Sequence, residues 1–258
     1  MKLGVRLESL NLPLRRGLEE VQRLGVTGLQ VDAVGDLAPN ALSQTGRREF
    51  RHLLRARGLE LCALGCPLRR GLDVAENQQG RIEHVRNVLA LAFDLGAGVV
   101  VVQAGPVPEA GQDSRLTEAL RDLSQHGDRV GAALALETGL ESGEALRDYL
   151  ARFDTGSLGV NLDPANLLMH GFDPFDSTRA LRGRILHVHA KDARRASASR
   201  SAQEVPIGHG DLEWMQFLSI LEEVEYRGWL TIERESGEQR LTDVQQGVAF
   251  LRRLLPPG

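Results

Sequence analysis

Four residues of this chain combine side chains fit for metal binding or proton transfer with a regular separation: Glu137, Asp163, His189 and Glu233. Each stands at the end of a short apolar, β-rich run, and successive members are 26, 26 and 44 residues apart. Taken singly, a carboxylate at a strand end is most often a helix cap or a loop group, and a lone strand histidine is most often a satisfied core residue. Together they carry more weight. Three carboxylates brought close together repel and raise one another's pKa, and a divalent cation removes that cost. Three carboxylate oxygens and one imidazole nitrogen form a fairly hard donor set, suited first to Mn²⁺ or Mg²⁺, with Co²⁺, Fe²⁺ or Zn²⁺ also accepted.

The elements that must position them follow from hydrophobic periodicity. Strands are expected at Lys2–Leu7, Gly28–Asp32, Leu59–Leu64, Val99–Val102, Ala132–Leu136, Leu158–Leu162, Ile185–His189 and Trp229–Ile232. The run Val99 to Val102 is four β-branched residues, as expected of a parallel strand buried on both faces. Amphipathic stretches alternate with these runs. Pro13 opens the first helix, Leu14, Leu18, Val21 and Leu24 form its stripe, and Gly25 stops it. Further helices are expected near Gln44–Arg57, Asn77–Leu95, Asp113–Val130, Gly143–Phe153, Asp173–Leu181, Asp211–Tyr226 and Thr242–Leu254, with a long loop over Ala190–Gly210.

Eight strands alternating with eight helices predict a parallel sheet closed into a (β/α)8 TIM barrel, a single domain over residues 1–258. The 258-residue length suits that fold. An open doubly wound sheet usually carries a Gly-rich phosphate turn after its first strand, and Leu7-Glu8-Ser9-Leu10-Asn11 has none. In such barrels the active site lies at the C-terminal ends of the strands. The four residues above would therefore share one rim, two of the spacings matching one βα unit and the third one unit plus the long loop. Glu8, Gln30, Asp32 and Gln103 end or follow other strands and are further candidates for the mouth, as is His170.

Composition bounds the partners. A net charge of -4 gives no bulk attraction for nucleic acid. No stretch of about 18 apolar residues suggests a membrane span, and charges interrupt the N-terminal segment that a signal peptide would need to be apolar. Cys62 and Cys66 read as two reduced thiols on or just after a strand, so a reducing cytoplasm is the expected compartment. Lys191, Arg194, Arg195 and Arg200 fall in the loop after strand seven, where many barrels bind phosphate; a solvated basic loop, or a local Lys191–Asp192 pair, is the plainer reading. His187 shares a strand face with His189 and fits either a core role or a substrate contact. Trp214 and Trp229 read as packing residues.

The segments Ala135-Leu136-Glu137-Thr138-Gly139, Asn161-Leu162-Asp163-Pro164-Ala165-Asn166, His187-Val188-His189-Ala190-Lys191-Asp192 and Ile232-Glu233-Arg234-Glu235 resemble the sugar phosphate isomerase/epimerase family of the xylose isomerase-like barrel superfamily. Val205-Pro206-Ile207-Gly208-His209-Gly210-Asp211 and Trp214 resemble its loop after strand seven. The resemblance to the ketose 3-epimerase branch implies that Glu137, Asp163, His189 and Glu233 hold one metal, often Mn²⁺. It further implies that Glu137 and Glu233 are the catalytic acid/base pair, and that Arg195 touches the substrate. Asn166 stands where several relatives have histidine; it can still hydrogen-bond a sugar hydroxyl. Asn166, His187, Lys191 and Arg195 are thus the expected contacts to a small carbohydrate substrate, free or phosphorylated. The expected reaction is epimerisation or isomerisation through a cis-enediolate, with dehydration of a keto-sugar or keto-inositol as the rival. The apurinic endonucleases of the same superfamily use three zinc ions and extra histidines, which Asn166 and Gln103 fail to supply. A non-catalytic sugar binder would leave the two glutamates without a task. Family members are often dimers or tetramers, so a homo-oligomer is expected by resemblance alone.

Overall fold

The computed structural model describes residues 1–109 and 114–255. Eight parallel strands close on themselves: β1 (Lys2–Arg6), β2 (Gly28–Asp32), β3 (Glu60–Gly65), β4 (Val99–Val102), β5 (Ala133–Glu137), β6 (Leu158–Leu162), β7 (Ile185–Ala190) and β10 (Trp229–Ile232), in the order β1-β10-β7-β6-β5-β4-β3-β2. Helices α1 (Leu14–Leu24), α2 (Gln44–Ala56), α3 (Gln78–Leu95), α4 (Arg115–Val130), α5 (Gly143–Leu150), α6 (Pro164–Met169), α7 (Pro174–Ala180), α8 (Trp214–Glu223) and α9 (Arg240–Leu254) alternate with them. The expected (β/α)8 TIM barrel is the observed fold. No helix among the described residues is long and apolar enough to cross a membrane.

Side chains alternate across each strand, and this sorts them between two compartments. Val5, Leu29, Val31, Val100, Val102, Leu134, Leu136, Leu230 and Ile232 face the helices and join the main apolar core. The alternate positions point into the barrel, where Ala63, Val101 and Ala135 form a small separate cluster. At the C-terminal rim the same inward register presents Arg6, Gln30, Gln103, Glu137, His189 and Glu233 to one cleft. The barrel thus converts a period of two along each strand into a ring of polar groups at one end.

Several boundaries differ from expectation, each for a local reason. β1 ends at Arg6, because Leu7–Leu10 turns into a 3₁₀ helix that buries Leu7 and Leu10. Gly25 adopts φ 64 and stops α1 as expected. The expected start of α4 at Asp113 lies outside the described residues, and the helix begins at Arg115 after Ser114, whose hydroxyl caps Thr117 N–H. Helix α6 was not anticipated: Pro164 occupies its first turn, and the Asp163 side chain caps it. The segment expected as a loop over Ala190–Gly210 contains an antiparallel hairpin, β8 (Asp192–Arg194) with β9 (Gln203–Val205). The buried Asp192 carboxylate anchors the return of this segment. It accepts from Gly208 N–H at 2.9 Å, Gly210 N–H at 3.2 Å and Trp214 Nε1–H at 3.0 Å. Trp214 is a buried packing residue, as expected.

Candidate metal centre

Glu137, Asp163, His189 and Glu233 each offer one ligand atom, and these atoms all lie within 4.8 Å of one another. His189 Nδ1 is 3.1 Å from Glu233 Oε2, 3.8 Å from Glu137 Oε1 and 3.9 Å from Asp163 Oδ2. Two ligands held at about 2.1 Å from one ion stand at most about 4.2 Å apart, so a shift of a few tenths of an ångström closes the set.

Asp163 shows why the donor set fits a cation. Its Oδ1 accepts Asn166 N–H at 2.9 Å and caps α6. Its Oδ2 is buried and has no hydrogen-bond partner. A buried carboxylate oxygen without a donor is costly, and a cation among the four ligand atoms removes that cost. One side chain can therefore cap a helix through one oxygen and offer the other as a candidate ligand.

The groups around the cluster aim it. His189 Nε2 donates to Gln30 Oε1 at 3.1 Å, which leaves Nδ1 facing the carboxylates. Asn166 Nδ2 donates to Glu137 Oε1 at 2.9 Å. Gly139 follows with φ 138, and a Cβ there would stand 2.6 Å from Asn166 Cβ, so only glycine lets the two loops meet. Lys191 Nζ reaches Glu235 Oε2 at 2.5 Å, Glu233 Oε2 at 3.1 Å and Asp163 Oδ2 at 3.6 Å. Arg6 donates to Asp32 Oδ2 at 2.7 Å, to Glu235 Oε1 at 3.3 Å and to Glu233 Oε1.

This density of charge moves the titrations. Burial pushes the Asp163 carboxyl up to about 7; Lys191 pulls it down, and the Glu233 and Glu137 charges push it further up. Burial opposes the charged form of Glu233 as well, but His189, Lys191 and Arg6 outweigh it and hold that carboxyl well below the usual range. Burial lowers His189, yet Glu233 and Glu137 carry it up to about 10. The three carboxylates thus crowd beside Nδ1, offset in part by Lys191 and Arg6. Such a cluster draws in positive charge, either a proton on the ring or a dication on its lone pair.

The expected substrate contacts separate. Asn166 lies at the cleft, against Glu137. His187 does not reach it, which corrects the expectation of a substrate contact. It is 1% exposed inside the barrel, and both ring nitrogens are used, by Asn161 Oδ1 at 2.9 Å and Thr231 Oγ1 at 2.8 Å. Burial lowers its pKa well below the ordinary value. Lys191 is neither a solvated loop residue nor paired with Asp192: it is 1% exposed and balances the carboxylates from within the cluster. Arg195 is exposed just beyond β8 and lines neither cavity described below. Glu8 stands behind Asp32, accepting its N–H at 2.9 Å, whereas Gln30, Asp32 and Gln103 do line the cleft. Cys62 and Cys66 are free and buried.

Arg6 and Glu235 were not singled out from the sequence. The sequence signal for Arg6 is weak, because the short strand it ends also begins with a charge, Lys2. Two adjoining cavities open above the cluster. The inner one, about 100 Å³, is walled by Arg6, Asp32, Glu137, His189, Glu233 and Glu235 among others. The outer one, about 310 Å³, shares Leu68, Gln103 and Glu137 with it and extends to Asn166 and His170.

The chain can now be set beside known proteins. A family model described as "Xylose isomerase-like TIM barrel" matches residues 18–254. The chain is 27% identical to the uncharacterized protein YfiH of Bacillus subtilis, over 91% of this chain and 93% of that protein. The crystal structure of a xylose isomerase domain protein from Planctomyces limnophilus superposes with a TM-score of 0.87 at 27% identity, covering 98% of this chain and 96% of that one. An inosose dehydratase of Clostridium tetani is 27% identical over 43% of this chain and 42% of its own length. The fold is shared with a D-psicose 3-epimerase, at a TM-score of 0.77 and 16% identity over 98% of this chain. With the barrel closed and the acidic cluster at its C-terminal rim, the match over nearly the whole length makes this chain a member of the xylose isomerase-like TIM barrel family.

Proposed function

We propose that this protein is a metal-dependent sugar or sugar phosphate isomerase/epimerase that moves a proton on the carbon next to a carbonyl. The observation that carries the reading is the buried, donorless Oδ2 of Asp163, facing three further ligand atoms at the floor of a cleft that Glu137 also lines. Glu137, Asp163, His189 and Glu233 would hold the ion, Mn²⁺ in the first instance. When bound, it supplies Lewis-acid polarisation of the substrate's carbonyl and hydroxyl oxygens.

The protein's own groups account for the rest. Glu137 borders both cavities, so a substrate lying across them meets its carboxylate. It removes the acidified proton to give a cis-enediolate, while Asn166 holds its Oε1 in place. Glu233, fastened by Arg6 and Lys191 and 3.1 Å from His189 Nδ1, serves as the second acid/base group. Return of the proton to the opposite face of the same carbon is epimerisation, and return to the neighbouring carbon is isomerisation.

A second reading is favoured by the likeness to inosose dehydratases. The same proton removal, followed by loss of a hydroxyl from the next carbon, is dehydration. The nuclease reading has less support: among the described residues only one cluster of this kind is found, and His187 has no ring nitrogen to spare. The test is a screen of ketoses, aldoses, inososes and their phosphates with Mn²⁺, read by product mass and by deuterium uptake from heavy water. Unchanged mass with deuterium on the carbon next to the carbonyl supports the isomerase reading. A product lighter by one water transfers the enzyme to the dehydratases.

A further inference from the structure

The two cavities differ in charge. The inner one is walled by Asp32, Glu137, Glu233 and Glu235, and its one lining cation, Arg6, is already bound to three of these. The Arg6 guanidinium is thus engaged, and the inner wall offers an anionic group no free arginine or lysine. Among the described residues that line the outer cavity Glu137 is the only carboxylate, at the shared boundary, with Asp73 behind Gly71 and Gly105, while Arg69, Arg70 and His170 line the remainder. Arg70 is ion-paired with Glu76, but Arg69 makes no hydrogen bond or ion pair among the described residues.

The segment that carries these arginines is a built wall. Leu72 is fully buried, and its N–H donates to Ala104 O at 2.6 Å. Gln78 Nε2 donates to Leu72 O at 2.6 Å, and Arg81 Nη1 to Glu76 O at 2.6 Å. Gly71 packs so closely on the exit of β4 that a Cβ there would stand 2.7 Å from Ala104 O. The backbone that carries Arg69 and Arg70 is thus held at the cavity, while both side chains are exposed.

We propose that the outer cavity is an anion-accepting subsite, in which Arg69 and Arg70, with His170, receive a phosphate or carboxylate at the end of the substrate remote from its reacting carbon. The proposal rests on the proton-transfer reading only in placing the reacting carbon at Glu137. It assigns to Arg69 the part that resemblance gave to Arg195, and it names the substrate class as an anionic sugar or cyclitol.

Calorimetric titration of the Mn²⁺-loaded protein with inorganic phosphate, fructose 6-phosphate, glucuronate and fructose tests it without relying on turnover. The expected result is binding of one or both anionic sugars, competed by inorganic phosphate and weakened by salt. Which sugar binds tells phosphate from carboxylate. Arg69→Ala is expected to weaken that binding about 10–100-fold, the size of a lost charged hydrogen bond, and Arg70→Ala to weaken it in the same direction. Arg195→Ala should leave it within twofold. Fructose binding as tightly as the anions, or anion binding indifferent to Arg69→Ala and Arg70→Ala together, overturns the subsite. Such an outcome leaves deuterium exchange into neutral sugars intact. Conversely, Arg69-dependent anion binding without exchange into any sugar upholds the subsite and removes the proton-transfer reading.

Discussion

Gln30 Oε1 on β2 accepts the Nε2 proton of His189 on β7 at 3.1 Å, across the interior of the barrel. With Nε2 donating, Nδ1 is the accepting nitrogen of the ring; it takes Asn161 Nδ2–H at 3.0 Å and is the atom turned toward Glu137, Asp163 and Glu233. A residue three strands away around the barrel thereby helps to orient the candidate ligand. Gln30→Leu is expected to lower affinity for a divalent ion about 10–100-fold, the range for partners that orient a ligand. Competition with a metallochromic chelator measures it; an unchanged affinity would mean that Gln30 is packing only.

The four-residue cluster is expected to take up about one divalent ion per chain. Mass spectrometry of metals in the dialysed protein gives the stoichiometry, and chelation should lower the melting temperature. Asp163→Ala removes both a ligand and the cap of α6, so it should lose metal and also stability, by about 1 kcal/mol for the cap. His189→Ala should lose metal without the capping loss. Two or more ions per chain would contradict the single centre.

Glu137→Gln and Glu233→Gln keep size and polarity but remove the base. Each is expected to cost at least about 10²–10⁴-fold in turnover, the usual worth of general-base catalysis. In heavy water one variant should still wash deuterium into one epimer while blocking interconversion, which would assign the face each glutamate serves. Full turnover by both variants would exclude a two-base scheme.

Asp192 ties the hairpin segment after β7 to the barrel by accepting N–H groups of Gly208, Gly210 and Trp214. Asp192→Ala leaves the buried Trp214 Nε1–H and the part-buried N–H groups of Gly208 and Gly210 without an acceptor, at about 1–3 kcal/mol for a buried group. A loss of about 3 kcal/mol or more is expected in urea unfolding. A loss below about 0.5 kcal/mol would show that water replaces the carboxylate.

Burial pushes the thiols of both Cys62 and Cys66 up to about 12. The thiolate is the nucleophile, and its fraction rises with pH. At pH 8 about one thiol in 10⁴ is ionised, so both cysteines should resist an aromatic disulfide reagent in the folded protein and react promptly in urea. Labelling should quicken as the pH rises. Stoichiometric labelling of the native protein at pH 7 would contradict the burial.

Much of this protein is legible in its sequence because the signals involved are local. Hydrophobic alternation along strands and the 3.6-residue stripe of helices depend on neighbours within one element. They suffice for eight βα units, and Glu137, Asp163, His189 and Glu233 stand out as polar groups terminating four apolar runs. What the sequence leaves open is every relation made by closure of the barrel. Arg6 meets Glu233, 227 residues away, because β1 pairs with β10 and sets Val5 opposite Ile232. Lys191, one residue past β7, reads as the start of a basic loop, yet the turn into the β8–β9 hairpin folds its ammonium inward among three carboxylates. His187 and His189 share one face of β7, and depth separates them: the upper ring lies between Asn161 and Gln30 with Nδ1 3.1 Å from Glu233, and the lower one spends both nitrogens on Asn161 and Thr231. Residue type and spacing determine which groups can do chemistry. Which of them meet, and which are used up in holding the others, depends on long-range pairing and burial that no local pattern encodes.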